Sequence, residues 1–76
     1  MFKCSLEEFK QMTATVCKLI DENAYQDVVE NAWKCLSLHY LNFEGSEADE
    51  LLVLSYFKFA GRRFTEYSSA YQYNRF

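Results

Sequence analysis

Residues 51–64, LLVLSYFKFAGRRF, carry more apolar side chains than a single helix face can hold. Read as a helix, Val53, Phe57, Ala60, Phe64, Tyr67 and Tyr71 recur at steps of four and three and make one continuous stripe. Leu52, Tyr56 and Phe59 make a second stripe beside it, and Leu51 and Leu54 widen the face further. A helix apolar on so many sides is covered on several of them. The chain has 76 residues, and domains of this size bury only about 60% of their unfolded surface. One side of this helix is therefore expected to meet the chain's own helices and another a partner.

The rest of the sequence supports helices throughout. There is no proline and there are two glycines, where average usage gives about four and five. Half the residues are apolar and 18% are aromatic, which argues against disorder. Ser5-Leu6-Glu7-Glu8 is a capping box opening a first helix over about residues 5–22, with a core stripe of Leu6, Phe9, Thr13, Val16 and Ile20. Asn23 tolerates the left-handed conformation that closes a helix and could also cap the next one. The second helix is expected over about residues 25–43, with Tyr25, Val28, Val29, Ala32, Leu36, Tyr40 and Phe43 facing the core and Trp33 beside them. Leu38 and Leu41 stand off that stripe. Gly45 is expected to end this helix in a left-handed turn, and Ser46 to cap a third over about residues 47–71. Gly61 does not shift the phase of the stripe, so one long helix is expected, with room at Gly61 for another backbone. The fold class read from this is all-α: a small single-domain three-helix bundle with a long C-terminal helix, dimeric through that helix.

The charge is uneven. Residues 1–50 hold ten acids and four bases, a net of −6; residues 51–76 hold Glu66 against Lys58, Arg62, Arg63 and Arg75, a net of +3. Two faces of opposite sign can choose partners. The N-terminus turns acidic at once, without an apolar signal region, and the three cysteines cannot close a disulfide framework; a cytoplasmic chain with reduced thiols is expected.

No catalytic constellation stands out. Cys35 and His39 are four apart, and Cys4 and Cys17 complete four metal ligands on paper, but the spacing matches no compact zinc pattern. Cysteine on an apolar stripe is an ordinary small buried residue. A Cys–His nucleophile needs a thiolate in a basic, partly open pocket, which nothing here supplies. Neither enzyme activity, metal nor cofactor is expected. The sharpest polar cluster is Lys58, Arg62 and Arg63 among Tyr56, Phe59, Phe64 and Tyr67. Arginine and tyrosine are the residues of protein interfaces, and the net charge of −3 disfavours nucleic acid. The expected function is a non-enzymatic adaptor, regulator or inhibitor that docks on another protein through Tyr56, Phe59, Arg62, Arg63, Tyr67 and Tyr71. A phage or mobile-element inhibitor of a host enzyme fits this size class. In that version Glu7, Glu8, Asp21, Glu22, Asp27 and Glu30 form an acidic face that mimics nucleic acid. The alternative is a small nucleic-acid binder using Lys58, Arg62 and Arg63.

Overall fold

The computed structural model describes residues 4–74, with side chains through residue 70. Three helices form a bundle: α1 Leu6–Asp21, α2 Gln26–Leu41 and α3 Glu47–Asn74. Among the described residues there is no strand; one isolated parallel bridge joins Cys4 to Phe43.

Several helix boundaries have a local cause. Ser5 Oγ accepts the Glu8 amide at 3.1 Å and starts α1. The end of α1 is a full Schellman closure: the Asn23 N–H donates to the Ile20 carbonyl and the Ala24 N–H to the Leu19 carbonyl, both at 3.0 Å. Asn23 sits at φ 58°, as its short polar side chain allows. Ser46 Oγ accepts the Asp49 amide at 3.2 Å and starts α3. Ser5→Ala is expected to cost about 1 kcal/mol, read as a lowered urea midpoint with unchanged slope.

The α2 boundaries differ from the sequence expectation. Tyr25, not Asn23, is its N-cap, and it makes no side-chain cap bond. That places Tyr25 outside the helix and in solvent, not on the core stripe, and Val28 on the next turn is also exposed. The C-terminus comes at Leu41. Asn42 closes it through Nδ2 and its own N–H, which both donate to the Leu38 carbonyl at 2.8 and 3.2 Å. Gly45 is not left-handed, since no glycine has positive φ. Its lack of a side chain matters for space: a Cβ there would lie 2.9 Å from Phe43 Cζ.

The core runs through Phe9 and Val16 of α1, Leu36 of α2, and Val53 and Ala60 of α3, with Cys4 closing one end; Val29 is fully buried as well. Thr13 is the one buried polar residue of the described core, and its hydroxyl donates to the Phe9 carbonyl at 2.9 Å. At 28 residues α3 spans about 42 Å against about 24 Å for each partner helix. It runs unbroken through Gly61. What Gly61 admits is a ring, not a backbone: a Cβ there would sit 3.2 Å from Trp33 Cη2. Trp33 lies between Phe57 and Phe64, and Phe57 stacks in turn on Tyr40. Centroid separations of 4.2 to 5.2 Å and interplanar angles of 7 to 11° make four near-parallel rings, a ladder fastening α2 to α3. Gly61→Val is expected to push the indole off this ladder and destabilise by about 2 kcal/mol, despite the better helix propensity. An unchanged thermal midpoint would contradict the packing.

Candidate protein-docking groove

The two stripes of α3 part company in the structure. Val53, Ala60 and Tyr67 of the first stripe are buried, with Phe57 and Phe64 half-buried on the ring ladder. In the second stripe Tyr56 is half-buried against the core, while Leu52 and Phe59 face solvent at 45% and 54% exposure.

A groove opens where the end of α2 meets the start of α3. Tyr40, Leu41 and Phe43 line it from the end of α2, and Leu51, Val53 and Leu54 line it from α3. Its volume is about 510 Å³. Glu47 and Glu50 stand on its rim as exposed acids. The lining leucines are not core residues: Leu41 is 76% exposed and Leu51 62%. Leu38, one turn before Leu41 on α2, is 58% exposed and extends the apolar surface. Large apolar groups beside one another with a polar rim are the anatomy of an interaction site. Leu38, Leu41, Leu51 and Leu54 were visible in the sequence as apolar residues wider than the stripes required. Their distance apart in the chain hid that α2 and α3 bring Leu41, Leu51 and Leu54 to one groove.

The residues singled out for docking scatter. Phe59 and Arg62 are exposed on α3, while Tyr56 is half-buried against the core. Arg63 reaches across the bundle and pairs with Asp21 at the end of α1. Tyr67 is 7% exposed, and its hydroxyl donates to the Ala24 carbonyl, tying α3 to the α1–α2 turn. Arg63 and Tyr67 thus hold the bundle together. The Tyr71 side chain lies outside the described residues. Among the described residues no ion pair joins Arg62 to Glu66. Tyr67→Phe is expected to cost about 1 kcal/mol, the net worth of one hydrogen bond, measured by urea unfolding.

The six acids are spread along α1, its C-cap and α2. Glu7 and Glu8 lie in the first turn of α1, and Asp21 and Glu22 at its other end, about 20 Å along the axis. Asp21 is paired with Arg63, and Glu22 with Lys18 at 3.9 Å. Asp27 accepts the Val28 amide at 3.0 Å, and Glu30 accepts from Gln26 Nε2 at 3.2 Å. Of the basic trio, Lys58 and Arg62 are exposed and Arg63 is engaged by Asp21.

No disulfide joins the three cysteines. Burial, the larger cause, pushes the Cys4 thiol above its ordinary range, with the Glu8 carboxylate adding to it. Burial also raises Cys17; Arg63 opposes that shift and Asp21 adds to it. Thiols held protonated are poor nucleophiles. Among the described residues no helix is long and apolar enough to cross a membrane.

No protein-family model, no curated protein and no solved structure matches this chain.

Proposed function

We propose that this chain is a non-enzymatic binding protein that docks on another protein, with the α2–α3 groove as its docking surface. The observation that carries the reading is the exposure of Leu41 and Leu51 in an open groove of about 510 Å³, with Leu38 exposed one turn away on α2. The acidic rim at Glu47 and Glu50 selects the occupant: an amphipathic helix or segment presenting apolar anchors flanked by lysine or arginine. Adaptor, regulator and inhibitor are all roles such a surface can serve. The test is a fluorescence titration of a labelled amphipathic helical peptide carrying leucine and lysine. Saturable, salt-weakened binding is expected; no binding, or binding equally strong to a glutamate-for-lysine control peptide, would overturn the choice of occupant.

A second copy of the chain is the other reading, and the charge split along α3 favours it. Glu47, Leu51, Leu54, Lys58 and Arg62 follow one another at steps of four and three on one flank. A two-fold axis near Leu54 would set Glu47 of one α3 against Arg62 of the other in an antiparallel pair. Light scattering at micromolar concentration separates the two: a mass twice the chain's 9.0 kDa supports the homodimer, and a mass of 9.0 kDa leaves the groove for a different protein. The nucleic-acid reading rests on Lys58 and Arg62, a small electrostatic footprint beside an acidic rim. A salt titration against duplex and single strands tests it.

A further inference from the structure

We propose that Cys4, Glu8 and His39 bind one divalent metal ion of the zinc class, with a water molecule completing the coordination. The three residues reach one place from separate parts of the chain. Cys4 lies in the lead-in, Glu8 in the first turn of α1 and His39 in the last turn of α2. The α1–α2 hairpin returns the end of α2 to the start of α1, where the Cys4 backbone pairs with Phe43. The thiol sulfur, a carboxylate oxygen and a ring nitrogen then lie within 4.8 Å of one another. Zinc bonds of about 2.0–2.3 Å in a tetrahedron set ligand atoms about 3.5 Å apart. Closing the site therefore needs movements on the order of 1 Å, and Glu8 is exposed, with the side-chain freedom to make them.

A further observation points the same way. His39 Nδ1 lies 2.8 Å from the Cys35 carbonyl oxygen. A carbonyl can only accept, so Nδ1 carries the proton and Nε2 carries the lone pair. A backbone hydrogen bond of this kind fixes the tautomer and ring orientation of metal-bound imidazoles. It also sets Cys35 aside: its sulfur is 3.9 Å from the nitrogen already engaged by the backbone. One thiolate and one carboxylate neutralise the two charges of a divalent ion. On binding, the Cys4 S–H bond breaks, the sulfur–metal bond forms, and the proton goes to solvent with no electron transferred. Thiolate with imidazole selects zinc-like ions over magnesium and calcium, which take oxygen ligands.

The test uses the full chain, reduced and metal-free, titrated with Co²⁺ and then Zn²⁺. One cobalt per chain is expected, with a thiolate-to-cobalt charge-transfer absorption that one equivalent of zinc removes. Cys4→Ser is expected to abolish that absorption and Cys35→Ser to leave it. Cys4 is buried, so Glu8→Gln, at an exposed position, carries the test even if Cys4→Ser fails to fold. It is expected to weaken zinc binding by more than about 10-fold, with the metal-free unfolding midpoint unchanged. No stoichiometric charge-transfer absorption, an absorption lost with Cys35→Ser, or zinc affinity unchanged by Glu8→Gln would each overturn the site.

Discussion

Trp33→Ala is expected to destabilise the protein by about 3 kcal/mol, the low end of the range for a large aromatic truncated to alanine. The low end applies because the indole is half-buried. The loss has two parts. One is the removed apolar area and the void left over Gly61, where the ring now lies in close contact with α3. The other is two stacking contacts, with Phe57 and Phe64, each worth about 0.5–1.5 kcal/mol beyond area. A chain of 76 residues has a total stability on the order of 4–11 kcal/mol. The substitution therefore removes a large share of it, and α2 should come away from α3 before α1 does. Trp33→Phe keeps one ring of the ladder and is expected to lose about half as much. Urea unfolding followed by circular dichroism reads both. A loss below about 1 kcal/mol for the alanine variant would mean that the ladder contributes little beyond contact.

The second large effect concerns binding with the fold kept intact. Leu41→Asp combined with Leu51→Asp places two carboxylates in a groove already rimmed by Glu47 and Glu50. Both leucines are mostly exposed in the isolated chain, so folding stability is expected to change by no more than about 1 kcal/mol. Partner affinity is expected to fall by at least about 100-fold, because an anchor lost from the centre of an interface costs about 2 kcal/mol or more. The combination is diagnostic. Core leucines would give the opposite pattern, a large stability loss on their own account.

Much of the fold was legible because its signals are local. The Ser5 and Ser46 caps and the left-handed Asn23 each depend on residues within one turn of the chain. The α1 stripe was legible too, since Phe9, Thr13 and Val16 are apolar or small on one face and charged groups occupy the other. The α2 stripe was harder, because that helix has apolar residues on more than one side. Periodicity set Leu38 and Leu41 off the stripe, but it placed Val28 on the stripe with Val29 and Leu36, and only the latter two point in. Tyr25 fell outside α2 because the Schellman closure at Asn23 already fixes the chain's path into the turn.

The sites were the least legible part, for a geometric reason. The groove draws on residues 40–43 and 47–54 across a change of chain direction. The Cys4–Glu8–His39 cluster spans most of α1 and α2. Spacing drew attention to Cys35 with His39, four apart on one helix, and no metal was expected there. The helix instead uses that spacing for a hydrogen bond from the histidine ring to the Cys35 backbone. Tyr67 and Arg63 looked like interface residues by type and are used inside the bundle, because α3 runs past the α1–α2 turn and meets Ala24 and Asp21 there.

The measurement that bears most directly on the docking surface is paired affinity capture from the native host. Wild-type protein and the Leu41→Asp, Leu51→Asp variant serve as baits at equal folded concentration. The account predicts a protein retained by wild type, eluted by moderate salt and absent from the variant. The same protein retained equally by both baits would contradict it.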